Sequence, residues 1–257
     1  MSVINTNVKS MFAQAALQTN ERHMSVAMNQ LSTGKRIYSA QVDAAGVSIS
    51  EKLTSQIRGS QMAVRNMNDA ISFMQTAEGS LNEIGNMAQR MYELAVQKEA
   101  GTYSADQVTD IEAEMTALAA GIESITTGAK WNGLEVVTET TLSITPDGVG
   151  SAAEDLALTA LGTTPTEASG VSDISTYIGT VTTRRAEAGA HINRLGYMAD
   201  NLSNLATNLS ASRSRIQDTD YAAASAELAR TQIINQAATA MLAQANQQPQ
   251  AVLTLLQ

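Results

Sequence analysis

Two histidines, His23 and His191, are the first residues to weigh, because histidine carries much of the acid–base and metal chemistry available near neutral pH. Neither belongs to a His-Glu-x-x-His pattern, and no cluster of carboxylates completes a ligand set, so both read as surface or interface residues. Cysteine is absent, which excludes a disulfide framework and a thiolate metal site. Gly34-Lys35 in "STGKR" lacks the preceding glycine of a phosphate loop and reads as a turn between helices. Asp218 and Asp220 have the look of paired catalytic acids. They precede "YAAASAELA", however, where helix N-capping accounts for them better. The twelve methionines fall mostly on apolar rows, where Met is core filler. The expectation is a protein that is not an enzyme, with no catalytic residue, no metal and no cofactor.

Two stretches remain. "AQRMYELAVQ" at 88–97 is a dense mixed patch, with Ala88, Met91 and Ala95 on an apolar row and Gln89, Arg90 and Glu93 off it. The chain ends "AMLAQANQQPQAVLTLLQ", placing Val252, Leu253, Leu255 and Leu256 where terminal turns usually fray. Such an end implies a partner surface, a membrane, or a core that reaches the last turn.

The elements that must position these residues are helices. From residue 108, Val108, Ile111, Met115, Leu118, Ile122 and Ile125 alternate steps of three and four, an unbroken heptad seam. Ser104 and Gln107 have capping-box spacing at its start, and Gly128 stands at its end. A second seam runs Val64, Met67, Ile71, Met74, Ala77, Leu81, Ile84, Ala88, Met91, Ala95, with an irregular step at Met74–Ala77 that would overwind the coil slightly. A third runs Ile174, Ile178, Val181, Arg185, Ala188, Ile192, Leu195, Ala199, Leu202, with one charged interruption. A helix over 50–98 would be on the order of 70 Å long, so the three seams predict a rod. Both ends are helical by pattern. Val8, Met11, Phe12, Ala15 and Ala16 share a face near the start, and Ile233, Ile234, Ala237, Ala238, Met241, Leu242 and Ala245 share one near the end. These Ala-rich helices would be marginal alone. Hinge-like stretches at 32–46 and 212–220 separate them from the rod. Between the helices, "WNGLEVVTETTLSITPDGVG" reads as short strands with tight turns, followed by a polar loop at 159–173.

Composition narrows the function classes. A net charge of −9 argues against nucleic-acid and anionic-membrane partners. Aromatics are 4% of the chain against 44% hydrophobic residues overall, which favours narrow helix seams over a thick core. No stretch reaches the roughly 18 apolar residues of a membrane span, and the start lacks the pattern of a cleaved secretory signal.

"LSTGKRIYSAQVDAAG" with "RNMNDAISFMQTAEGSLNEIGNMAQRMYELAVQ" resembles the N-terminal half of bacterial flagellin. "SASRSRIQDTDYAAASAELARTQIINQAATAMLAQANQQPQAVLTLLQ" resembles its C-terminal end. The resemblance covers residues 1 to about 133 and 173 to 257. It implies a mainly α fold: a long antiparallel helical coiled-coil rod with a terminal helix pair and a small β-hairpin tip. Residues 1–42 would be the N-terminal helix and spoke of the inner core domain, and 43–132 the N-terminal part of the rod. Residues 133–172 would be a short variable region replacing the large outer domains of many relatives. The rod would resume over 173–214, and 215–257 would be the C-terminal helix of the inner core.

The function implied is a structural subunit that polymerises into the extracellular flagellar filament for swimming. The resemblance places Val8, Met11, Phe12, Ile234, Met241, Leu242, Val252, Leu253, Leu255 and Leu256 at polymer core interfaces. It implies export unfolded through the flagellar secretion apparatus, with an export chaperone and no cleaved signal peptide. Further partners implied are cap and hook-junction proteins. It also implies recognition of the monomer by Toll-like receptor 5 through Gln89, Arg90, Glu93, Leu94 and Glu114, with Tyr92 standing where the common pattern has Arg. The competing readings are a flagellin-like hook–filament junction protein, a flagellin with an inserted metalloprotease, and a peripheral membrane binder. The absent zinc motif and short middle oppose the metalloprotease, and the lack of a dense basic face at either end opposes the membrane binder.

Overall fold

The computed structural model describes residues 6–138, 141–144 and 154–254, with side-chain surroundings for 6–138 and 158–247. Among the described residues the order is α1 (Val8–Thr33), α2 (Ala44–Glu99), α3 (Ala105–Gly128), β1 (Lys130–Trp131), β2 (Leu134–Glu135), β3 (Thr141–Ile144), β4 (Glu154–Ala157), α4 (Val171–Gln217) and α5 (Tyr221–Thr254). The chain divides into two compact units, one formed by Met1–Ser55 with Leu209–Gln257 and the other by Gln56–Asn208.

The Gln56–Asn208 unit is an antiparallel helical coil. Lys98 of α2 pairs with Glu112 of α3 at 2.7 Å, while Met87 lies against Gly121, so α3 runs back along α2. Val171 N–H donates to Glu99 at 3.4 Å and Val181 packs at Gly85, so α4 is also antiparallel to α2. The buried row of α2 is Ala63, Met67, Ala70, Met74, Ala77, Leu81, Ile84, Ala88, Met91 and Ala95. Its steps alternate four and three without a break, so the expected irregularity at Met74–Ala77 is not there. Val64 and Ile71 only flank the core, because the positions of closest approach belong to small Ala63 and Ala70.

On α3 the seam places Ile111, Met115 and Ile122 in the core, with Leu118 and Ile125 packed against it. The expected capping box forms: Gln107 N–H donates to Ser104 Oγ, and Ser104 N–H donates to Gln107 Oε1 at 3.0 Å. On α4 the charged interruption is shifted by one residue. Arg184 is the buried cation, 1% exposed, and Arg185 is only half-buried.

Two antiparallel hairpins, β1–β2 and β3–β4, take the place of the one expected. The first turns on Asn132-Gly133, whose φ values of 49° and 84° suit the left-handed positions of a two-residue hairpin loop. It lies against the helical core: Trp131 meets Phe73 edge to face at 6.1 Å, and Val136 and Val137 are fully buried. The second pairs Thr141 with Ala157 and Ile144 with Glu154. The Pro-Asp-Gly turn of the sequence reading, at 146–148, lies outside the described residues.

In the other unit, the two hinge-like stretches are shorter than the sequence suggested. Helix α1 continues through Thr33, α2 begins at Ala44, and α4 runs to Gln217, so 212–217 is helical. Gly34 ends α1 at φ 68°, its N–H donating to Gln30 at 2.9 Å, and any Cβ there would lie 2.9 Å from the Tyr221 hydroxyl. The two turns then pair through backbone: Arg36 N–H donates to Gln217 O at 2.7 Å and Thr219 N–H to Gly34 O at 3.0 Å.

Candidate assembly and recognition surfaces

Helices α1 and α5 pair antiparallel, since Asn7 Nδ2 donates to Ala245 O at 2.9 Å and Asn20 Nδ2 to Thr231 O at 2.7 Å. The buried and half-buried positions of α1 include Ser10, Ala13, Leu17, Asn20, Met24, Ala27 and Leu31, with Val26 and Gln30 beside that row. Those of α5 include Ala224, Leu228, Thr231, Asn235, Ala238, Leu242 and Ala245. Both rows step three and four, so the pair is a heptad seam, whose buried positions are small or polar and whose Leu and Met residues are only half-buried.

The most apolar faces point away from that seam. Phe12 is 72% exposed, Ile233 67% and Met241 65%, and Val8, Met11 and Ile234 are exposed with them. Hydropathy alone would turn these residues inward. Each helix carries more apolar residues than one partner helix can cover: Leu17, Met24, Leu31, Leu228 and Leu242 are half-buried along the pair, and the second apolar row stays outside. Of the expected core-interface residues, Leu242 differs, being half-buried on the α1 side. Val252 and Leu253 belong to α5, but their side chains, and Leu255 and Leu256 altogether, lie outside the described residues.

In the other unit, Gln89, Arg90, Glu93 and Glu114 are exposed together on neighbouring turns of α2 and α3. Arg90 Nε donates to Glu114 at 2.9 Å and Nη1 to Glu93 at 3.1 Å. The bonds to Glu114 and then Glu93 raise the Arg90 pKa further, so the group is a fixed, orientated cation. Leu94 is 2% exposed and sits in the core, beside Ala95 and flanking the row that runs through Met91. It presents no side-chain surface here, because burial of its isobutyl group against the seam is favoured over exposure.

The remaining candidates are structural. His23 is exposed, and the described residues hold no group of three or more His, Cys, Asp or Glu fit for a metal. Asp220 caps α5, accepting from Ala222 N–H at 2.8 Å, whereas Asp218 pairs through backbone with Lys35. No helix among the described residues is long and apolar enough to cross a membrane.

A polar clamp that the sequence reading missed holds the segment entering α4. Arg184 Nη1 donates to Thr159 O at 3.0 Å, while the Thr159 N–H and hydroxyl donate to the two oxygens of Glu187 at 2.6 Å each. Desolvation lowers the Arg184 pKa, opposed by the charges of Glu187 and Tyr177. The Thr159 hydroxyl and then its N–H lower the Glu187 pKa. A depressed carboxylate contributes its stability above the ordinary Glu pKa of about 4.3 and loses it as pH falls through the folded value. Acidification should therefore release the Thr159 amide before the helices melt. Exchange of that single proton, followed by NMR from pH 6 downward, checks this; loss only together with the core amides would refute it.

Two family models match the chain: the bacterial flagellin N-terminal helical region over residues 4–141 and the C-terminal helical region over residues 171–256. Flagellin of Halalkalibacterium halodurans is 40% identical, with 99% of each chain covered. The flagellar filament 33 kDa core protein of Treponema phagedenis is 36% identical over 99% of each. Flagellin of Bacillus subtilis is 35% identical over 98% of this chain and 99% of that one. The crystal structure of Bacillus cereus flagellin superposes with a TM-score of 0.46 at 26% identity, covering 58% of this chain and 94% of that one.

Proposed function

Because this chain belongs to the bacterial flagellin family, and so is a structural subunit of the extracellular flagellar filament, we propose that it polymerises through the outward apolar faces of α1 and α5. One observation carries this reading: an outer row of large hydrophobic residues on both helices, Val8, Met11, Phe12, Ile233, Ile234 and Met241, is exposed rather than covered by the helix pair. Neighbouring subunits give those faces the burial that the pair itself does not. The Met1–Ser55 and Leu209–Gln257 unit is then the part that joins the polymer core.

The partners beyond the polymer are the filament cap, the hook-junction proteins, the export chaperone and the secretion apparatus. Purified chain, seeded with filament fragments and imaged by electron microscopy, should extend every seed without limit. Growth that stops after a short zone would indicate a junction protein, and no growth would overturn the reading.

The patch of Gln89, Arg90, Glu93 and Glu114 is the surface offered to Toll-like receptor 5 by the monomer, with Leu94 supporting it from beneath. Arg90 stands off the seam, so Arg90→Ala should leave the thermal midpoint unmoved. The same change should weaken receptor signalling by monomer in reporter cells, since it removes the cation that joins α2 to α3 at this surface. Wild-type monomer that gives no signal would leave the patch a solvated helix face.

A further inference from the structure

Helix α5 contains a proline well inside its length. Pro249 carries no N–H, so the carbonyl of Ala245, four residues earlier, has no intrahelical donor. That carbonyl is the one that accepts the Asn7 side-chain amide, at 2.9 Å. The other end of the same amide is also used: Asn7 Oδ1 accepts the Ser10 N–H at 3.1 Å and caps α1. We propose that Asn7 and Pro249 together set the register in which α1 and α5 pair, the proline opening one acceptor and the asparagine filling it.

The seam needs such a device. Its facing residues are mostly Ala, Ser, Leu and Thr, and a slip of one turn would set Ala13 beside Leu242 instead of Ala238 with little change in burial. Small and uniform seams specify register weakly, and a single polar contact at a defined level can specify it, as a buried Asn does in coiled coils. Asn20 makes a second bond across the pair, to Thr231 O. That carbonyl also has its ordinary helical donor four residues on, the backbone N–H of Asn235, and the neighbouring carbonyls of α5 have theirs, so Asn20 could be accommodated one turn away. The acceptor opened by Pro249 occurs once, since α5 has no other proline. The consequence for assembly rests on the polymer reading above: register decides which residues of the two outward faces, such as Met11 and Met241, stand at one level for a neighbour to cover.

The native chain has no cysteine, so introduced pairs report cleanly. Ala13→Cys with Ala238→Cys reports the native register, and Ala13→Cys with Leu242→Cys the slipped one. Seeded filaments, in which the two helices are held ordered, are grown from each variant and oxidised, and the rates of intrachain closure are compared by non-reducing electrophoresis. Dilute chain is oxidised in parallel, where the paired fraction of molecules gives the same ratio. In the native background the first pair should close several-fold to about tenfold faster than the second, the discrimination expected of one well-placed, partly buried hydrogen bond. Asn7→Ser keeps a capping oxygen but loses the amide, and should reduce the preference to about twofold. Pro249→Ala restores the helical donor and should reduce it similarly, and Asn7→Ser should then have no further effect.

An unchanged preference in Asn7→Ser overturns the proposal. So does an equal loss from Asn7→Ser in the Pro249→Ala background, which would make Asn7 a cap only. If neither cysteine pair closes, the pairing drawn here is not the solution register, and the proposal falls. Seeded elongation of the cysteine-free variants is measured separately: Asn7→Ser and Pro249→Ala should both elongate more slowly than wild type. Failure of wild-type chain to elongate would remove the polymer reading and leave the closure ratios to decide the register alone.

Discussion

Deleting residues 248–257 should abolish seeded elongation and leave the unfolding of the Gln56–Asn208 unit where it was. None of the buried hydrophobic residues of that unit lies beyond Ala206, so the deletion removes nothing from its seams. What it removes is Val252, Leu253, Leu255 and Leu256, four apolar residues among the last six of the chain, beyond the outward-facing Ile233 and Met241 of α5. Full burial of one such side chain is worth about 1.5–3 kcal/mol, and the loss recurs at every subunit contact. Even about 4 kcal/mol lost per addition would raise the concentration needed for growth by roughly a thousandfold.

The deletion also takes Pro249, so two point variants separate the effects. Leu255→Ser with Leu256→Ser keeps the proline and should be nearly as severe as the deletion. Pro249→Ala keeps the apolar cluster and should be milder. Thr254→Ser should be almost silent. Polymer mass is followed by sedimentation after seeding, and differential scanning calorimetry reports the helical unit. Elongation by the truncated chain at the wild-type rate would mean that the apolar end is not an assembly interface.

The second large effect is expected in amide exchange. Residues 1–40 and 215–257 should exchange quickly in the monomer and slowly in the filament, with protection rising by about a hundredfold or more. In the α1–α5 pair the fully buried apolar residues among those described are Ala27 and Ala224, and both are small. The other buried residues of the two helices are Ser10, Asn20 and Thr231. Ordering each residue costs about 1–2 kcal/mol in backbone entropy, and methyl groups at the seam offset only a fraction of that over two long helices. Covering Phe12, Ile233, Met241 and their neighbours with other subunits supplies the missing burial. The Gln56–Asn208 unit, with Met67, Met74, Leu81, Ile84, Met91 and Met115 fully buried, should be protected equally in both states and serves as the internal reference. Equal protection of the ends in monomer and filament would show that they fold without neighbours.

The sequence alone determined the helical periods, the start of α3 after Ser104 with its reciprocal cap, and the Asn132-Gly133 turn. Each of these is local: a heptad, a four-residue cap or a two-residue turn is specified by spacing along the chain, with no need of a distant partner. The family was legible too, in long motifs at both ends.

Tertiary packing decided which row of each helix faces inward. On α2, Ala63 and Ala70 are chosen over Val64 and Ile71, and on α4 Arg184 goes under while its neighbour Arg185 does not. On α1 and α5, Met11, Phe12, Ile233 and Met241 are left outside while Ser10, Asn20 and Thr231 are buried in the seam. Hydropathy orders residues by their preference for leaving water, whereas a close helix pair selects by size, and by whether a polar group finds its partner on the opposite chain segment. Asn20 and Thr231, 211 residues apart, and Asn7 and Ala245, 238 apart, meet only because the chain returns antiparallel to its own start.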